Sequence, residues 1–133
     1  MNARIIDLPK IKDLRGNLSV IESCSEIPFE IKRTYLIYDV PGGQIRGGHA
    51  YRNQLEFIVS LSGSFDVHLD DGVNKEVFSM NRSYYGLLVS NMIWRSMQNF
   101  STNALCLVLS STFFDKNDYM KDYESFLEEV KAL

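Results

Sequence analysis
Short β-rich runs, stopped repeatedly by turn residues, constrain this chain more than any other feature. Residues 4–8, 18–22, 31–39, 54–61, 65–69, 75–78, 84–89, 93–97 and 104–110 are rich in Val, Ile, Leu, Tyr and Phe. Such side chains suit a pleated, half-buried surface. Between the runs fall Asp13-Leu14-Arg15-Gly16-Asn17, Pro41-Gly42-Gly43, Ser62-Gly63-Ser64 and Asp70-Asp71-Gly72, all with turn chemistry. Phe65, Val67 and Leu69 alternate with Asp66, His68 and Asp70, which gives that strand one apolar and one polar face. By the same parity Arg33, Tyr35 and Ile37 share a face. Strands this short and this often interrupted predict an all-β antiparallel sandwich or barrel.

The period changes near the C-terminus. Tyr119, Tyr123, Phe126, Leu127 and Val130 recur at spacings of three and four, which predicts a helix over about 116–131 with one apolar face. Asp115, Asn117 and Asp118 are its candidate caps. The 133 residues read as one domain, 1–133, and 45% of them are apolar, enough for a real core. No apolar run approaches the roughly 18 residues of a membrane span. The start, M-N-A-R-I-I-D-L-P-K, lacks the apolar centre of a signal peptide. Cys24 and Cys106 are isolated and read as core thiols, so the expected location is cytoplasmic. A net charge of −3 argues against a nucleic-acid partner. Lys32, Arg33, Arg46, Arg52, Arg82 and Arg95 nevertheless fall near the predicted strands and loops. A few local cations suffice for a small phosphorylated ligand.

Residues 43–63 carry the chemistry. Gly43, His49, Tyr51, Glu56 and Gly63 stand at fixed intervals, and His49 and Tyr51 fall on one face of an extended strand. The intervals resemble the first cupin motif, G-x5-H-x-H-x4-E-x6-G, with Tyr51 where the second His stands. The second cupin region resembles Gly86 to Arg95, with Arg95 in place of a ligand His. Arginine does not bind metals. His49 and Glu56 alone are too few donors for a catalytic metal, so none is expected.

Further pieces resemble one cupin family, the dTDP-4-keto-6-deoxyglucose 3,4-ketoisomerases, or WxcM-like sugar-nucleotide isomerases. They are D-x-R-G-x-L from Asp13, I-K-R-x-Y from Ile31, R-G-x-H-A from Arg46, L-D-D-G from Leu69, Trp94, and D-Y-x-x-D-Y-x-x-F-L from Asp118. The resemblance spans nearly the whole chain. It implies a double-stranded β-helix (the cupin jelly roll) followed by the C-terminal amphipathic helix, in a homodimer that shares strands. It also implies a cofactor-free shift of a keto group from C4 to C3 of a dTDP-linked 4-keto-6-deoxyhexose, in the making of deoxyamino sugars for cell-surface polysaccharides.

That reaction needs a base near neutral pKa, donors for the developing oxyanion, and exclusion of water. His49 is the candidate base, and the resemblance implies that the His at this position is catalytic. Tyr51 and Arg95 are the other candidate catalytic residues; a phenol donates or relays a proton, and a guanidinium stabilises an enolate. Arg15, Arg33, Tyr35 and Arg46 are candidate substrate binders, with Arg15 and Arg95 bearing on the face of C4 that is reprotonated. Glu56 is expected to orient His49 or pair with an Arg, Trp94 to be buried, and His68 to be exposed. Two other readings stay open: a cupin that holds a sugar nucleotide without turning it over, and a 3,5-epimerase.

Overall fold
A computed structural model describes residues 1–133. The alternating runs become strands β1 (Ala3–Asp7), β2 (Lys10–Asp13), β3 (Gly16–Ser19), β4 (Arg33–Tyr38), β5 (Arg46–Tyr51) and β6 (Glu56–Ser62). They continue as β7 (Phe65–Asp70), β8 (Lys75–Met80), β9 (Tyr85–Val89), β10 (Trp94–Gln98), β11 (Leu105–Ser110) and β12 (Tyr119–Met120), ahead of one helix, α1 (Tyr123–Lys131). One sheet has the order β1-β9-β6-β11-β4 and the other β12-β5-β10-β7-β8, and every pairing is antiparallel. This is the expected jelly roll. Strands β2 and β3 form a separate hairpin that exposes every strand residue.

The core lies between the sheets, where Ile58, Phe65, Val67, Leu87 and Val108 are at most 1% exposed. A second cluster covers the outer face of the first sheet. There Phe57, Val59, Leu88 and Leu109 pack under Leu8, Ile27 and Phe29. Strands buried on both faces need no alternation, which is why β6 and β9 read as near-continuous apolar runs. Gly86 is part of that packing, since a Cβ there would lie 2.2 Å from the Phe57 ring. The expected strand at 18–22 instead ends at Ser19, and Ile21 turns in to join this cluster.

The tail departs from the expected helix over 116–131. Asp115 caps only a short 3-10 turn, Lys116–Asp118, by accepting from the Asn117 N–H. The chain then extends to pair with β5, and α1 begins after Asp122, whose carboxylate accepts from the Ser125 N–H. Strand pairing takes Tyr119 off the helical face to which its spacing assigned it. Helix α1 packs Phe126 against Ala50 and Met120 on the outer face of the second sheet, with Trp94 and Tyr123 edge to face at 5.3 Å. Trp94 is therefore packed under the helix. His68 is half-buried rather than exposed. Of the two cysteines only Cys106 is in the core; Cys24 is exposed in the connection before β4. No helix is long and apolar enough to cross a membrane.

Candidate active site
A β-bulge aims the site. Arg95 pairs with His49, but the next residue, Ser96, pairs with Gly47, so Gly48 is left over. Gly47 and Gly48 adopt φ of +90° and +75°, where a side chain is strained. At Gly47 a Cβ would also press on the Arg95 carbonyl oxygen at 3.1 Å. Beyond the bulge His49 and Tyr51 share the inner face as their spacing predicts, ring centroids 4.9 Å apart, and Ala50 faces the helix.

A cavity of about 510 Å³ opens between β4 and β5. Strand β4 contributes Arg33, Tyr35 and Ile37. Strand β5 and the residue before it contribute Ile45, Arg46, Gly47 and His49; Met97 and Tyr119 complete the wall. The volume suits a small-molecule ligand. Apolar side chains with a few cations and one imidazole line it.

Behind the wall lies a buried polar network centred on Glu56, which is fully buried. Its carboxylate accepts from Arg95 Nη1, from the Tyr35 hydroxyl at 2.6 Å and from Gln54 Nε2 at 2.8 Å. Gln54 Oε1 accepts from Arg33 Nη2 at 3.1 Å and from the Thr112 hydroxyl at 2.7 Å. Arg95 is also fully buried and donates to the Ile93 and Ser90 carbonyls at 3.1 and 3.3 Å. A buried ion pair is tolerated when most of its remaining hydrogen-bonding capacity is met, and of this pair's atoms Arg95 Nε is left without a partner. The Arg95 guanidinium lies 5.1 Å from the centroid of the Tyr51 ring.

These surroundings tune the titrating groups. Burial, and then the positive charge of Arg95, push His49 down to about 4 against the opposing pull of Glu56. The imidazole is thus neutral at pH 7, and its Nε2 is buried with no hydrogen-bond partner. A neutral, unpartnered ring nitrogen has its lone pair open to a proton, but a pKa of about 4 departs from the near-neutral base expected of the sequence, because burial and Arg95 disfavour the imidazolium. Burial, and then Glu56, push Tyr35 and Tyr51 up, so both remain protonated donors at neutral pH.

The structure brings Arg33, Tyr35, Arg46 and His49 together on the cavity wall and sorts the other expected site residues differently. Tyr51 is 1% exposed and stands behind His49, and Arg95 lies deeper, occupied by Glu56. Neither lines the cavity, because both project from the strands into the closed interior. Arg15 is on the exposed hairpin, paired with Asp13 at 2.8 Å, and lies outside the cavity of its own chain. Two site residues escaped the sequence reading. Gln54 carries the network, and Tyr119 stands 5.2 Å from His49 by ring centroids. The helix cap at Asp122 was the available signal for Tyr119, since it starts the helix only after that residue. Among His, Cys, Asp and Glu no group of three is placed to hold a metal; Glu56 is already engaged, so these residues do not fit a resident ion.

The family model described as FdtA: WxcM-like, C-terminal, matches residues 1–131. The chain belongs to this family. The TDP-4-oxo-6-deoxy-alpha-D-glucose-3,4-oxoisomerase of Aneurinibacillus thermoaerophilus is 38% identical over 133 residues, covering 100% of this chain and 96% of that one. A 3,4-ketoisomerase from Helicobacter canadensis superposes with a TM-score of 0.95 at 40% identity, covering 98% of each chain. A His-to-Asn mutant of the 3,4-ketoisomerase QdtA from Thermoanaerobacterium thermosaccharolyticum, in complex with TDP-4-keto-6-deoxyglucose, superposes with a TM-score of 0.96 at 30% identity, covering 98% of this chain and 95% of that one.

Removing Glu56 leaves the Arg95 guanidinium buried without its anion. Glu56→Ala is expected to lower the unfolding free energy by about 3–5 kcal/mol, measured by urea denaturation; a loss under about 1 kcal/mol contradicts the network. His49 is expected to titrate near 4 in an imidazole NMR experiment. Its folded pKa lies below the unfolded value of about 6.5, so between the two the unfolded chain binds more protons. Stability is thus retained above pH about 6.5 and lost as pH falls towards about 4. The stability of the wild type relative to His49→Asn should fall across that window, and a midpoint left near 6.5 contradicts the assignment.

Proposed function
We propose that this chain is a TDP-sugar 3,4-ketoisomerase, converting a dTDP-linked 4-keto-6-deoxyhexose to its 3-keto isomer without a metal or redox cofactor. The observation that carries the reading is the neutral, unpartnered His49 nitrogen on a cation-lined cavity, in a family whose relatives are 3,4-ketoisomerases. The QdtA variant in complex with TDP-4-keto-6-deoxyglucose supports the substrate class.

His49 removes the C3 proton beside the carbonyl. The C–H electron pair forms the C3–C4 double bond and an enediol(ate) results. The proton on His49 exchanges with solvent, and His49 then protonates C4, so that O4 ends as a hydroxyl and the keto group stands at C3. Arg33 and Arg46 bind the diphosphate or the developing oxyanion. Tyr35 is held in its donor form by burial and then by Glu56. Tyr51 and Arg95 act from behind the wall: Arg95 favours neutral His49, and Tyr51 packs against its ring. A cytoplasmic location, where sugar nucleotides are made and used, belongs to the same reading.

The homodimer belongs to it as well. The β2–β3 hairpin exposes Ile11, Leu14 and Leu18 at 56%, 107% and 55%. Apolar side chains on a projecting hairpin are suited to cover a second copy. Such docking carries Arg15 to the neighbouring cavity, where it contacts substrate and, with Arg95, bears on the face of C4 that is reprotonated.

Turnover is tested with TDP-4-keto-6-deoxyglucose in deuterium oxide, followed by NMR. A 3-keto product labelled at C4 is expected, unchanged by chelator, with turnover in His49→Asn lower by at least about 10²-fold. Label at C5 instead supports epimerisation, and an unaltered sugar supports binding alone. For the dimer, light scattering should give about twice the 15.3 kDa chain mass. Ile11→Asp with Leu14→Asp should halve it; a monomeric wild type contradicts the assembly.

A further inference from the structure
Tyr119 is a cavity-wall hydroxyl to which the mechanism above gives no task. The segment carrying it is tied down from several directions. Its backbone pairs with β5, Tyr119 opposite Tyr51 and Met120 opposite Ala50. The Asp118 carboxylate, 6% exposed, accepts from the backbone N–H groups of Asn53 at 2.8 Å and Gln54 at 3.1 Å. Arg52 donates to the Asn117 carbonyl at 2.9 Å and makes a two-point ion pair with Glu129 of α1, at 2.8 and 3.2 Å. Charge-assisted hydrogen bonds of this kind fix both position and orientation.

The phenol so placed stands with its ring centroid 4.6 Å from Tyr51 and 5.2 Å from His49. The two phenol rings meet edge to face. Of these two phenols only Tyr119 lines the cavity. A 3,4-keto shift must move two protons, one between carbons and one between oxygens. An imidazole holding the carbon proton is not free to carry the oxygen proton too.

We propose that Tyr119 carries the proton between O4 and O3 while His49 carries the one between C3 and C4, and that Asp118 is the positioning residue for Tyr119. This assignment rests on the ketoisomerase reading. His49 takes the proton from C3, the C–H pair becomes the C3–C4 π bond, and the carbonyl π pair moves to O4. Tyr119 gives its hydroxyl proton to O4, leaving a phenolate. In the second half the O3 proton passes to that phenolate as the C3 carbonyl forms. The π pair between C3 and C4 takes the proton from His49 at C4. Both residues end as they began, and no oxidant or reductant is involved.

The test runs Tyr119→Phe and Asp118→Asn beside the wild type and His49→Asn, with TDP-4-keto-6-deoxyglucose in deuterium oxide. Tyr119→Phe is expected to lower kcat by about 10²-fold or more, with KM changed by less than about threefold. The ratio of deuterium at C3 of recovered substrate to product formed should rise, because His49 still exchanges the carbon proton while oxygen transfer stalls. Asp118→Asn should lower kcat less and raise the same ratio. A purely structural role lowers exchange and turnover together; an unchanged ratio therefore overturns the proposal, as does a kcat for Tyr119→Phe within about threefold of wild type. Should Tyr119→Phe fail to fold, 3,5-difluorotyrosine at position 119 is the second variant. Its more acidic phenol should move the basic limb of the kcat–pH profile downward, and an unmoved limb overturns the proposal. Wild-type protein that does not isomerise the sugar overturns the parent reading and this one together. Active wild type with an unaffected Tyr119→Phe overturns this one alone.

Discussion
The ion pair between Glu56 and Arg95 is the interaction around which the interior is arranged. It joins β6 of one sheet to β10 of the other through side chains that are both fully buried. Burying two charges costs several kcal/mol per ion, about 3–5 kcal/mol if one is removed from its partner. Tyr35, Gln54 and two backbone carbonyls supply most of the hydrogen bonding that makes the pair tolerable, with Arg95 Nε left unpartnered. The same pair adds to what burial does to the titrating groups. Burial, and then Arg95, keep the proton off His49; burial, and then Glu56, keep protons on Tyr35 and Tyr51.

The charge distribution follows a second division. The chain as a whole is acidic, yet Arg33 and Arg46 stand on the cavity wall. Inside, His49 is neutral and the phenols of Tyr35 and Tyr51 are protonated. A fixed positive rim suits an anionic ligand, and under the proposed reaction a neutral imidazole is left to take the proton that must move.

Much of this was legible in the sequence because it depends on local rules. Alternation in 65–70 and the turn at Asp70-Asp71-Gly72 marked β7 and its hairpin correctly. The parity of Arg33, Tyr35 and Ile37 put three cavity residues on one face. The spacing of His49 to Glu56 located the imidazole and the hub of the network. The failures share a cause as well. Tyr119 matched a helical period, but a strand partner 68 positions earlier, Tyr51, drew it into the sheet. Gln54 carried no motif, and its importance comes from Arg33, Glu56, Ser110 and Thr112, which meet only in the folded chain. Tyr51 and Arg95 had the right strands, but depth within a barrel is not a property of spacing.

The sequence by itself determined the class of fold, the face on which His49 sits and the family, since periodicity, turn residues and motif order are written along the chain. Tertiary structure decided which of those residues reach the cavity. It put Tyr119 at the wall, set Tyr51 and Arg95 behind it, and left Arg15 outside. Burial and charge at a point depend on everything that surrounds it, and most of what surrounds His49 comes from distant parts of the chain.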